Sequence, residues 1–111
     1  MLRRRRAERR SAGTLAFGEV RIETQGRRAT VRGVEVSLSA REFDLLCLLA
    51  ASPGRAFTRQ AILEKVWGWS FEGTARTVDN FIRSLRQKIE ADPARPRHLV
   101  TVRHVGYRLA P

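Results

Sequence analysis

Arg76, Asn80, Arg83 and Gln87 recur at spacings of four, three and four residues in the segment RTVDNFIRSLRQKIE. On a helix that spacing puts all four on one face, with Thr77 and Ser84 flanking them. Guanidinium and carboxamide groups are the side chains best shaped to hydrogen-bond the major-groove edges of guanine and adenine. A helix that needs only a solvated back is served as well by Glu and Lys, so the stripe points to duplex DNA. The plainer alternative is a charged solvent face without a partner. Thr77 and Asp79 also have a plainer use, in hydrogen bonds at the helix start.

Arg76 falls in the first turn, where the helix dipole disfavours a cation by about 0.3–1 kcal/mol. The placement makes sense if a phosphate occupies that end, shared between the arginine and the free backbone N–H groups. A second basic cluster, Arg97, His98, Arg103, His104 and Arg108, gathers near the C-terminus around a predicted hairpin. Its tip, RHVG, suits the narrow, electronegative minor groove, while Tyr107 and Leu109 are expected to pack inward.

Other chemistries find no support. The chain has two histidines and one cysteine, and no cluster has zinc-like spacing. There is no nucleophile beside a base, no Gly-rich phosphate loop and no facing pair of carboxylates, so neither an enzyme nor a cofactor is expected. Cys47 lies in the apolar run FDLLCLLA and reads as a small core residue. No apolar run approaches the length of a membrane span, and no apolar stretch follows the first arginines, as a secretory signal requires. The reading is of a cytoplasmic protein.

The chain has 111 residues, 42% of them hydrophobic, enough for one domain with a modest core. Its net charge is +11, and about half of the excess sits in MLRRRRAERR, with six arginines and one glutamate. The remaining body still carries about +6. Such a balance indicates a polyanionic partner. Residues 1–13 read as a basic arm or linker without packed structure, and residues 14–111 as the folded domain.

Periodicity supplies the elements that hold the stripe. LAFGEVRIE (15–23) and ATVRGVEVSL (29–38) alternate about Gly-Glu and Arg-Gly breaks, which predicts four short antiparallel strands. Ser39 and Glu42 form a capping box before a buried helix that Pro53-Gly54 ends. Thr58 caps a second helix that stops at Gly68. WSFEGTA (69–75) is a loop. The third helix runs from near Thr74 to about Ala91, and Asp92, Pro93 and Pro96 close it. RHLVTVRHVGYRLA (97–110) is strand, tight turn and strand, with Gly106 expected to supply a positive φ. The fold class is therefore α+β: a winged helix-turn-helix with an N-terminal four-stranded antiparallel sheet, three helices and a C-terminal β-hairpin wing.

The ordered motifs EF-x-LL, VWG, RTVD, LR-x-K and GYRL, spread over residues 15–110, closely resemble the C-terminal effector domain of OmpR/PhoB-type response regulators. The resemblance implies the same winged helix and sequence-specific binding of double-stranded DNA for transcription regulation, at the end of a two-component phosphorelay. It places DNA contacts at Trp67, Arg76, Thr77, Asn80, Phe81, Arg83, Ser84, Arg86, Thr101 and Arg103. Of these, Arg83 and Asn80 are expected to read bases, with help from Thr77. Arg76, Arg86 and Trp67 would hold the backbone, and Arg103 would enter the minor groove. The resemblance further implies RNA polymerase contact through loop 68–74 and head-to-tail pairing on direct repeats. Relatives often carry arginine where Ser84 stands, and usually glycine where His104 stands. They also carry a receiver domain, so an excised effector with the arginine arm as its linker is preferred to a stand-alone protein. The competing readings are a nonspecific DNA or RNA binder driven by the arm, and a protein-interaction module using the third helix.

Overall fold

In a computed structural model of the chain, which describes residues 13–68 and 73–111, the four predicted strands are β1 (Thr14–Phe17), β2 (Val20–Glu23), β3 (Arg28–Val31) and β4 (Val34–Val36). They form an antiparallel sheet in sequence order. Alternation decides which face is buried: Val20 and Ile22 point into the core, while Arg21 and Glu23 face out. Between β3 and β4, Arg32 and Gly33 both have positive φ, 52° and 81°, as a tight two-residue hairpin turn requires. Arginine tolerates this conformation less readily than Asn or Gly. Arg32 is tied down by its N–H on the Glu19 carbonyl (2.9 Å) and its Nε on the Glu19 carboxylate (2.7 Å).

Helix α1 (Ala40–Ala50) starts at the predicted capping box. Ser39 N donates to Glu42 Oε1 at 2.8 Å, and Glu42 N donates to Ser39 Oγ at 3.2 Å. Leu45, Leu46 and Leu49 are fully buried. Cys47 sits on the flank of that stripe and is half-buried, at the edge of the core and not inside it. Burial, with a smaller push from Asp44, raises its thiol pKa to about 11.

A two-residue strand, β5 (Phe57–Thr58), precedes the second helix and has no counterpart among the expected elements, because two residues carry no readable period. The Thr58 hydroxyl caps α2 (Arg59–Ile62) by accepting from Ala61 N at 3.0 Å. α2 is short because its continuation, Leu63–Trp67, widens to a π turn. That turn ends at Gly68, whose φ of 96° favours glycine. Loop residues 69–72 lie outside the described residues, as do residues 1–12 of the arm.

Helix α3 (Ala75–Ile89) buries Val78, Ile82, Leu85 and Ile89. The chain then forms β6 (Leu99–Val102) and β7 (Gly106–Leu109), which join β5 in a sheet of order β5-β7-β6. Tyr107 and Leu109 are buried, as expected of the hairpin's inner face. The turn differs from expectation: the positive φ belongs to His104 (65°), not to Gly106. Gly106 is required for another reason, since a Cβ there would collide with the Phe57 carbonyl of the neighbouring strand.

Candidate nucleic-acid interface

The predicted stripe faces open solvent. Arg76, Asn80, Arg83 and Gln87 are all exposed, and no hydrogen bond or ion pair among the described residues engages their side chains. The eleven steps from Arg76 to Gln87 advance about 16 Å along the axis at 1.5 Å per residue, a length that fits a major groove about 12 Å wide over roughly five base pairs. The stripe is also free of acid. The carboxylate nearest in sequence, Asp79, is turned to the side, where Oδ1 accepts from Arg59 Nε at 2.7 Å and from the Tyr107 hydroxyl at 2.5 Å. Burial pushes the Asp79 carboxyl up, but the bonds from Tyr107 and Arg59 outweigh it and hold the group below the usual carboxylate range. Asp79 therefore joins α2, α3 and the hairpin, and does not serve the helix start. Thr77 does serve it: its hydroxyl accepts from Thr74 N at 3.4 Å.

The other predicted contact residues divide by what they already touch. Phe81 is half-buried and meets Trp67 edge-on, with ring centroids 4.9 Å apart, so both rings wedge α3 against the π turn. The Ser84 hydroxyl donates to Glu42 Oε2. Arg86 donates through Nε (3.0 Å) and Nη2 (2.8 Å) to the Leu99 carbonyl, and through Nη2 to the Thr101 hydroxyl at 3.0 Å. Its guanidinium also lies 5.7 Å from the centre of the Tyr107 ring. Arg86 and Thr101 are thus joined to each other. Arg103 is exposed at the hairpin tip, beside His104 and the partly exposed Val105.

Two anchors that the sequence did not disclose hold the stripe in place. Glu42 is 4% exposed and binds Lys88 Nζ at 2.7 Å as well as Ser84, which fixes the start of α1 to the last turns of α3. Burial pushes its carboxyl up. The bonds from Lys88, Ser84 and Ser39 together hold it below its ordinary value. Glu90, 8% exposed, ends α3 and receives three backbone N–H groups, those of Arg97 (2.9 Å), His98 (3.0 Å) and Leu99 (2.7 Å). It thereby sets where β6 begins. A capping-box spacing could reveal Glu42, but its bond to Lys88 spans 46 residues.

Beyond the Leu99 contacts, the hairpin is tied to α3 at one cross-strand pair near its tip. Thr101 lies opposite Tyr107; Arg86 holds the first and Asp79 the second. The tip begins one pair further on, at Val102 opposite Gly106. A cleft of about 410 Å³ lies elsewhere, between the N-terminal sheet and the end of α3, and Glu90 and His98 line it. Among the described residues no group of three or more His, Cys, Asp or Glu could hold a metal ion, and no helix is long and apolar enough to cross a membrane.

Residues 33–109 match the family described as transcriptional regulatory protein, C terminal. The sensory transduction protein RegX3 of Mycobacterium tuberculosis is 44% identical over 99 residues, covering 89% of this chain and 44% of that protein. The DNA-binding response regulator MtrA of Mycolicibacterium smegmatis is 41% identical over 109 residues, covering 98% of this chain and 48% of that one. The chain thus spans about half the length of the curated relatives it matches. In structure it is similar to the response regulator DrrB of Thermotoga maritima, an OmpR/PhoB homologue, with a TM-score of 0.84 and 34% identity over 97% of this chain and 49% of that one. It is also similar to the DNA-binding domain of Klebsiella pneumoniae RstA, crystallised in complex with the RstA box. There the TM-score is 0.78, with 35% identity over 87% of this chain and 96% of that one.

Proposed function

The chain belongs to the transcriptional regulatory protein C-terminal family, the winged-helix DNA-binding domains of OmpR/PhoB-type response regulators, and from that premise we propose which residues read a duplex and which hold the reader in shape. It is a sequence-specific double-stranded-DNA binder in transcription regulation, and not an enzyme. Asn80 and Arg83 read base edges from the middle of α3, and Thr77 borders them. Arg76 and the first free N–H groups of the helix take a backbone phosphate. Trp67 lies at the flank, where a phosphate strand would run, and Arg103 enters the minor groove. Phe81, Ser84, Arg86 and Thr101 act through position: their contacts fix α3 against α1, the π turn and the wing.

The observation that carries this reading is the exposed, acid-free stripe of Arg76, Asn80, Arg83 and Gln87 on a helix whose other polar groups are spent on the protein. An incoming duplex therefore breaks no bond between the stripe and the described residues.

The arginine arm adds sequence-independent phosphate contact. Coupling to a receiver domain by phosphorelay, head-to-tail pairing on direct repeats, polymerase contact through loop 68–74 and a cytoplasmic location all belong to the proposal. The test is selection from a random duplex library with the full chain and with a chain lacking residues 1–12. Both should enrich the same short sequence. Loss of all preference on arm deletion would leave the nonspecific binder.

A further inference from the structure

The tip of the wing carries an imidazole where the backbone would favour glycine. His104 has a φ of 65°, a left-handed conformation that an L-residue other than glycine adopts at a cost. The tip cannot easily swing to relieve it. Val105 N donates to the Val102 carbonyl at 2.9 Å, and the hairpin is clamped one pair below by Arg86 on Thr101 and by Asp79 on Tyr107. Gly106 is pressed against Phe57 of β5. The ring is thus carried, exposed, on a hydrogen-bonded turn next to the exposed Arg103.

Resting on the proposal that the wing enters the minor groove, we infer that His104 is a proton-linked reader of that groove. It enters as the imidazolium beside Arg103, so that binding DNA takes up a proton. The negative potential of a narrow minor groove attracts Arg, Lys and His alike, but only His changes charge near neutral pH. Among the described residues, the charged groups on the neighbouring elements are engaged elsewhere. Arg86 of α3 is bonded to Leu99 and Thr101, Asp79 of α3 is shared between Arg59 and Tyr107, and Arg59 of α2 is bonded to Asp79. On the hairpin itself the charges are those of Arg103 and Arg108, and residues 99–109 contain no carboxylate side chain. The other histidine, His98, is at the far end of the hairpin. There its Nδ1 meets the Ala110 carbonyl at 2.9 Å and its ring lies edge-on to Phe17.

The test is the affinity of the full chain for its selected duplex between about pH 6 and pH 8 at fixed salt. Wild type should weaken by about tenfold across that range. His104→Gln should bind with a flat pH profile, and His104→Arg should bind tightly at both ends. A wild-type slope that survives in His104→Gln or His104→Arg, or a flat wild-type profile, overturns the inference. A duplex with 2,6-diaminopurine for adenine under the wing separates this failure from that of the parent reading. The substitution adds an amino group to the minor groove only. If wild type binds both duplexes equally, the wing does not enter the groove. If it discriminates while His104→Gln keeps the slope, only the role of His104 fails.

Discussion

The Tyr107 hydroxyl donates to Asp79 at 2.5 Å, and that single bond joins the wing to the second turn of the helix carrying the exposed polar stripe. Asp79 is also the acceptor for Arg59 at 2.7 Å, and the Arg59 guanidinium lies 5.1 Å from the Tyr107 ring centre. Three elements meet at one carboxylate. Tyr107→Phe keeps the ring and removes the donor. A hydrogen bond to a charged group is worth about 1.5–3 kcal/mol, so the thermal midpoint should drop by several degrees. Affinity should fall on duplexes that need the wing. Unchanged melting and binding together would show that the wing is placed by packing alone.

Arg83 and Arg86 lie three residues apart on α3 and should behave oppositely. Arg83 is exposed and has no partner among the described residues, while Arg86 is committed to Leu99 and Thr101. Arg83→Ala should leave the unfolding midpoint in place, cost about 1–3 kcal/mol of binding and relax preference at one base pair. Arg86→Ala should lower stability by about 1–3 kcal/mol, because it leaves the Leu99 carbonyl without its donor. Urea titrations and binding to matched and mutated duplexes separate the two outcomes. An Arg86→Ala protein of native stability that loses only salt-dependent affinity would restore Arg86 to the phosphate contacts.

That contrast also marks where the sequence stops being legible. Strand alternation, the Ser39 and Thr58 caps and the apolar and polar stripes of α3 are local patterns, and each is found where periodicity puts it. What Arg86, Ser84 and Asp79 do depends on partners 13, 42 and 28 residues away, respectively. Only the folded chain brings those partners within reach. On a wheel, Ser84 flanks the polar stripe as Thr77 does, yet its hydroxyl is spent on Glu42. The hairpin turn misleads for a different reason. Gly106 is the conspicuous residue, but it answers to the closeness of Phe57, while His104 adopts the left-handed backbone.

Acid should weaken the fold through Glu42 and Asp79. Both carboxyls are held below their ordinary values in the folded chain, so each binds its proton more readily when unfolded. Their contribution is present above the unfolded carboxylate pKa of about 4 and is lost as pH falls through the lower folded value. The urea midpoint should be flat from about pH 7 to pH 5 and should decline below about pH 4. Glu42→Gln should start lower and show a shallower decline. An equally steep decline in Glu42→Gln would place the acid sensitivity elsewhere.

Ser84 and Asn80 give the sharpest separation between positioning and reading. They lie four residues apart on α3, but Asn80 is exposed and unbonded among the described residues, whereas Ser84 donates to the buried Glu42. Ser84→Ala should destabilise the protein by about 1–2 kcal/mol, since Glu42 loses one donor while Lys88 and the Ser39 N–H remain. Its base preference in a duplex selection should be that of wild type. Asn80→Ala should melt at the wild-type temperature and lose discrimination for one adenine-containing pair. If Ser84→Ala alters the selected sequence at native stability, Ser84 turns towards the duplex on binding and belongs with the readers.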